Sequence, residues 1–244
     1  MASAFLTAQW SSLLMMNYRV DPGRVAPFVP MGCEVDFHQE ETYVSVVGFL
    51  FQNTRLKGFP VPWHQNFEEV NLRYYIRRKD DPERRAVGFI QEIVPRWAVA
   101  AVARLVYQEN YVALPMRHQL DLPEGRLSPG SGVAYGWKKG GRWHEMSARI
   151  SGPLIPLAPG SHPEFIAEHY WGYVSRRDGS TTEYQVEHPP WKIWPVEEAR
   201  LDMDVRTVYG EEWAEVFAQP PVSAFVAQGS KVTVYEGRRL KPLP

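Results

Sequence analysis

A single cysteine, Cys33, occurs in 244 residues, so no intrachain disulfide can form. A chain this long buries enough apolar surface to fold without such staples, and the composition fits a reducing compartment. Excess charge of either sign is also missing, since 27 basic residues face 28 acidic ones for a formal net charge of −1. No long-range field draws the chain to nucleic acid or an anionic membrane, and neither is expected as a partner. Long apolar runs are absent. Residues 13–16 form the longest early one, and residues 1–10 carry no basic segment leading into an apolar stretch. Neither a signal peptide nor a membrane-spanning helix is expected, and a cytoplasmic location is.

Short catalytic signatures are missing too. There is no G-x-G-x-x-G, no Walker loop, no G-x-S-x-G elbow, and no H-x-H, H-E-x-x-H or C-x-x-C spacing. No cofactor and no metal are implied. Cys33 has no basic or histidine neighbour in sequence that would favour a thiolate. The doublets and triplets of basic residues (Arg77-Arg78-Lys79, Arg84-Arg85, Arg176-Arg177) flank acidic residues at turns and read as solvated strand ends.

What the chain has in quantity is aromatic residues: nine Trp, twelve Tyr and eleven Phe, 13% of the whole. Each ring buries a large area, so an aromatic-lined interior would use them well. Frequent Pro and Gly punctuate short segments rich in Val, Tyr, Phe and Trp, the pattern of strands. Strands are predicted at about 9–19, 33–38, 42–55, 67–78, 84–94, 111–120, 132–138, 142–150, 171–176, 182–188, 191–204, 222–228 and 231–236. Lys139-Gly140-Gly141, Asp178-Gly179 and Gly229-Ser230 supply hairpin turns. Helices are few. Asp21-Pro22 starts a short one, Ser161 and Glu164 form a capping box for another through about residue 170, and a last covers 208–218. Residues 97–108 read as a buried helix. No repeat or linker divides the chain, so one β-rich domain over 1–244 is expected.

Candidate chemistry concentrates in three segments. In residues 67–77 the period of two puts Glu69, Asn71, Arg73 and Tyr75 on one face and Val70, Leu72, Tyr74 and Ile76 on the other. Glu69 and Arg73 are about 13 Å apart along such a strand, at ~3.3 Å per residue, so each needs its own partner. The polar face is either a solvated stripe or the inner wall of a cavity. Arg104 is the one charge in the apolar 97–106 stretch, and burying it calls for a carboxylate (Glu69 or Glu109) or a ligand oxygen, unless it reaches the surface along its aliphatic stem. The third segment pairs Glu168-His169-Tyr170-Trp171 with Glu187-His188-Pro189-Pro190-Trp191, which the Asp178-Gly179 hairpin would bring side by side. His169 and His188 read as acid–base partners, as metal ligands or, the favoured reading where no metal spacing occurs, as satisfied structural histidines.

Taken together, Phe5-Leu6-Thr7-Ala8-Gln9-Trp10, Asn17-Tyr18-Arg19-Val20-Asp21-Pro22, the 67–73 segment, Ala113-Leu114-Pro115-Met116-Arg117-His118, residues 168–173, Val186-Glu187-His188-Pro189-Pro190-Trp191 and Ser230-Lys231-Val232-Thr233-Val234-Tyr235 resemble the YqjF-like family of unknown function, in the acetoacetate decarboxylase-like superfamily. The resemblance spans residues 5–240. It implies an α+β, β-rich fold: a curved antiparallel sheet closing into a barrel-like cone around a cavity, with a few outer helices. Relatives on this fold often assemble, so a homo-oligomer is an expected form. The namesake enzyme condenses a lysine with its substrate ketone, and a neighbouring lysine lowers the nucleophile's pKa. The matching positions here are Met116 and Arg117; a thioether cannot form an imine and a guanidinium stays protonated. The family's arginine maps to Arg104 if about five residues are inserted, and its acidic residue to Glu69. Of seven lysines, Lys192 alone sits in aromatic surroundings suited to a relocated nucleophile.

Two functions stay open at this point, besides a decarboxylase or lyase that uses a relocated lysine. One is an enzyme-like protein that takes a small carbonyl or carboxylate compound without Schiff-base chemistry. In it Glu69 is the acid–base group and Arg104 or Arg117 the anchor, with Arg73, Met116, His169, Trp171, His188 and Trp191 lining the site. The other is a non-catalytic small-ligand binding module.

Overall fold

The computed structural model describes residues 3–97 and 110–240, and Arg104, Glu109 and the helix expected over 97–108 lie, all but its first residue, outside them. The chain begins with strands β1 (Ala4–Arg19), β2 (Cys33–Val35), β3 (Tyr43–Leu56), β4 (Phe59–Pro60), β5 (Phe67–Arg78) and β6 (Asp81–Val94). Next come β7 (Tyr111–Ala113), β8 (Met116–Leu120), β9 (Gly132–Lys139), β10 (Arg142–Ile150) and β11 (Ile155–Pro156). The last are β12 (Trp171–Ser175), β13 (Thr181–Glu187), β14 (Lys192–Asp202), β15 (Ser223–Ala227), β16 (Lys231–Tyr235) and β17 (Arg238–Arg239).

Seven strands close into a ring in the order β1, β3, β5, β6, β12, β13, β16 and back to β1. Six of its seams are antiparallel. The β6–β12 seam is parallel, with Trp171 beside Ala86 and Gly172 beside Val87, so the sheet is mixed rather than antiparallel throughout. A second layer, β8–β9–β10–β14, continues from the ring through β15.

Two layers explain why β3 and β5 are buried on both faces. Val44, Val46, Val70, Leu72 and Ile76 face outward into one core with Tyr135, Trp137 and Met146 of the second layer. Val47, Phe49, Phe51, Phe67 and Tyr75 face into the ring. The layers approach closely because Gly48 has no side chain: a Cβ there would lie 2.7 Å from the Tyr135 ring. Glycine serves the same purpose within the ring. A Cβ on Gly88 would meet the Tyr74 ring at 2.3 Å, and one on Gly172 the Tyr184 ring at 2.2 Å.

Local signals act where the sequence puts them, with three differences. Asp21 accepts from Gly23 N at 2.7 Å and caps Pro22–Val25. Ser161 accepts from Glu164 N at 3.3 Å, but its helix is His162–Ala167, so His169 and Tyr170 fall in the turn beyond it. The strand expected over 111–120 is split into β7 and β8 at Leu114-Pro115, where proline has no N–H to donate. In place of one continuous helix over 208–218 there are three short ones, the α-helices Val205–Val208 and Ala214–Phe217 and the 3-10 helix Glu211–Trp213. Gly210 breaks the run with φ 108°. No helix among the described residues is long and apolar enough to cross a membrane.

The arginine doublets depart furthest from expectation. Instead of ending in solvent, Arg78 and Arg84 converge on Glu183, which is fully buried. Arg78 Nη1 donates at 3.0 Å, Arg84 Nη1 at 3.1 Å, Arg238 Nη2 at 2.7 Å and Tyr173 OH at 2.8 Å. One carboxylate thereby ties β5, β6, β12, β13 and β17 together beside the parallel seam. Burial pushes the Glu183 carboxyl up, and the bonds from Tyr173, Arg238 and Arg78 outweigh it to hold the group below its ordinary range. A carboxyl depressed in the folded state stabilises above its unfolded pKa and loses that contribution as pH falls. Glu183→Gln is expected to cost about 2–3 kcal/mol at pH 7, discounted for the partly exposed arginines. Urea denaturation should find the gap from wild type narrowing from about pH 5 to pH 3, since both chains then lack the ion pairs.

Candidate functional site

Residues of the ring line a hollow of about 210 Å³. Its polar side is built mainly by β5. Alternation on this strand points Glu69, Asn71 and Arg73 inward, and all three are buried. Asn71 Nδ2 donates to Glu69 Oε1 at 3.0 Å, and Tyr111 OH donates to Glu69 Oε2 at 3.2 Å. Glu92 joins this corner because β6 sets it opposite Asn71 and β7 sets Tyr111 opposite Glu92. Two carboxylates, an amide and a phenol thus share one corner of the hollow.

Arg73 lies further along the same strand. Its Nε donates to Tyr75 OH at 3.2 Å and its Nη2 to the Ile166 carbonyl at 2.8 Å, with Met15 Sδ at 3.6 Å. Among the described residues no carboxylate pairs with this guanidinium, and Nη1 makes no hydrogen bond. Taking a cation out of water without a counter-ion is costly, so the position favours an anion in the hollow. Tyr75 in turn lies 2.6 Å from Ser45 Oγ, which donates to Asn17 Oδ1 at 2.6 Å; Asn17 Nδ2 donates to Ser223 Oγ at 2.9 Å. A buried polar chain thus backs the guanidinium.

His169 and His188 both reach the hollow from the segments flanking β12 and β13. Neither ring nitrogen of His169 has a hydrogen-bond partner among the described residues, and the ring packs against Tyr75 at 4.9 Å. Burial, then the positive charges of Arg85 and Arg73, hold its pKa well below the ordinary range, so the ring is neutral. His188 is lowered too, chiefly by burial; it stacks on Trp191 at 4.1 Å and meets the Pro189 carbonyl through Nδ1 at 3.0 Å. Aromatic rings complete the wall. Trp10 meets Phe49, Phe51 and Trp191 at 5.3, 5.6 and 6.2 Å, and Phe51 stacks on Phe67 at 4.7 Å.

Of the residues singled out from the sequence, Glu69, Arg73, His169, Trp171, His188 and Trp191 line this one hollow. Arg104 lies outside the described residues. Met116 and Arg117 are elsewhere, on β8 in the second layer. Met116 packs against the outer core, while Arg117 is exposed, pairs with Glu145 at 3.2 Å and covers Trp143 at 4.4 Å. The six lysines among the described residues line no part of the hollow; Lys192 is exposed, and Lys139 donates to the Val208 carbonyl at 2.9 Å. Glu92 was not apparent as a site residue, although a lone carboxylate between Ile90 and Ile93-Val94 was its signal. Among the described residues no group of three or more His, Cys, Asp or Glu could hold a metal ion.

Comparison with known proteins gives three findings at the level of sequence and fold. The model of the DUF2071 family, described as an uncharacterized conserved protein, matches residues 7–231. The uncharacterized protein YqjF of Bacillus subtilis (strain 168) is 24% identical over 204 residues, covering 82% of this chain and 78% of its own. Among solved structures, the enduracididine biosynthesis enzyme MppR complexed with pyruvate superposes with a TM-score of 0.70 at 14% identity, over 99% of this chain and 92% of its own. The acetoacetate decarboxylase of Legionella pneumophila superposes at 0.69 with 12% identity, over 98% and 88%. At these identities the two structures share the fold.

His169 gives the hollow a measurable signature. Its ring resonances should not titrate near pH 6.5 by NMR, and titration there would contradict the burial described. The unfolded chain takes up a proton that the folded chain refuses, so stability should fall as pH drops below about 6.5. That component should be missing from His169→Gln.

Proposed function

Because the chain belongs to the DUF2071 family and its buried Arg73, inside the ring, pairs with no carboxylate among the described residues, we propose that it binds a small carbonyl or carboxylate compound there. Arg73 is the carboxylate anchor in this reading, taking the role that the sequence offered to Arg104 or Arg117. Its free Nη1 is the observation that carries the proposal, since a ligand carboxylate would supply the missing counter-charge. The likeness in fold to MppR complexed with pyruvate supports an oxo acid as ligand. Glu69 is the acid–base group. Asn71 and Tyr111 hold its two oxygens in place, which suits a carboxylate positioned to take a proton from carbon beside a carbonyl. The neutral His169 ring offers a hydrogen-bonding group to the ligand's carbonyl.

Chemistry here proceeds without an imine. No lysine is among the described lining residues and residues 98–109 contain none in sequence, while Lys241 lies outside the described residues. Calorimetric titration with pyruvate and acetoacetate should show saturable binding to the wild type. Arg73→Gln should weaken it by about tenfold to a hundredfold, as expected for losing a charge-assisted bond. Equal binding by the variant would defeat the assignment of Arg73. Borohydride added to the complex should leave the protein mass unchanged, whereas a reduced adduct on any lysine would sink the imine-free reading.

A further inference from the structure

The hollow is much larger than its polar corner needs. At about 210 Å³ it exceeds the ~150 Å³ of a dry, apolar protein cavity that accepts benzene. A three-carbon oxo acid would leave most of the space vacant, with the aromatic wall facing nothing and forfeiting its dispersion contacts. Polar and apolar groups are also separated along the strands. Arg73 lies opposite Ser45, Asn71 opposite Val47, Glu69 opposite Phe49 and Phe67 opposite Phe51. Two residues advance about 7 Å, so the aromatic wall starts about 13 Å from the Arg73 backbone, and the long guanidinium shortens that span.

The far end is where rings accumulate. Trp10, Phe49, Phe51 and Phe67 form one contact cluster, extended by Trp191 and His188. Their planes lie mostly edge-on or tilted to one another, the arrangement that accepts a further flat ring by edge-to-face contact. Partly exposed Phe5, Leu56 and Val61 continue the apolar lining toward the surface.

We infer that the ligand is a carboxylic acid bearing an aromatic group, with its carboxylate at Arg73, its carbonyl beside Glu69 and Asn71, and its ring against Phe49, Phe51 and Trp10. This rests on the reading of Arg73 given above and adds the substrate class to it. The test is calorimetric titration of the wild-type chain with phenylpyruvate, pyruvate and 2-oxooctanoate, the last matching the aryl acid in size without a ring. Phenylpyruvate should bind at least about tenfold more tightly than pyruvate and more tightly than 2-oxooctanoate. Phe51→Leu, with Phe49→Leu as the alternative should the first not fold, should narrow the phenylpyruvate-to-pyruvate ratio. Pyruvate binding as tightly as phenylpyruvate in an Arg73-dependent manner overturns the aryl assignment and leaves the anchor standing. A straight-chain acid that equals the aryl acid, or a ratio unmoved by the leucine variants, overturns it as well. Absence of binding by all three acids overturns the anchor and the aryl class together.

Discussion

A sheet that curls back on itself must join strands distant in sequence along one last seam, and here that seam is short. β6 and β12 meet through only two residue pairs in parallel. Parallel pairing is slightly weaker per residue than antiparallel, so backbone bonds alone hold this junction loosely. Side chains reinforce it. Glu183 gathers Arg78, Arg84 and Arg238, and Arg84 also covers the Trp171 ring at 4.6 Å. Without closure there would be no enclosed wall. The inward residues of β5 would then face water, where a guanidinium and a carboxylate have little to offer a small ligand.

Enclosure changes what those residues can do. In a medium of low effective dielectric a charge interacts more strongly with whatever reaches it, and an unpaired one is costly. Arg73 combines that cost with restraint: Tyr75 OH, the Ile166 carbonyl and the Tyr75 ring fix the guanidinium plane, and Ser45, Asn17 and Ser223 fix Tyr75. A side chain held on a rigid strand and backed by a second set of polar groups loses little freedom on binding, which raises its value to a ligand.

Most strands were legible in the sequence, β5 to its end residues, because aromatic and β-branched runs between turn signals are local information. The Asp21 and Ser161 caps were legible for the same reason. What could not be read was which face of β5 looks at water. Alternation separates Glu69, Asn71 and Arg73 from Val70, Leu72 and Ile76, but a polar inner wall and a solvated face have the same period. Only the second layer, which buries the apolar face against Tyr135 and Trp137, leaves the polar face turned inward. The parallel seam was equally hidden, since nothing near Ala86 announces Trp171 as its neighbour. Arg78 and Arg84 looked like solvated ends because their shared partner, Glu183, is about a hundred residues away along the chain.

One glycine placed opposite a tyrosine has a consequence for how this interior could diversify. The Tyr184 ring rests over Gly172 and forms part of the hollow's wall, while Gly172 itself contributes no lining atom. A methyl group at position 172 would displace that ring. The width of the chamber is therefore governed by a residue that no ligand touches. Two relatives could keep an identical polar corner and still admit guests of different girth, and inspecting the corner alone would not reveal the change.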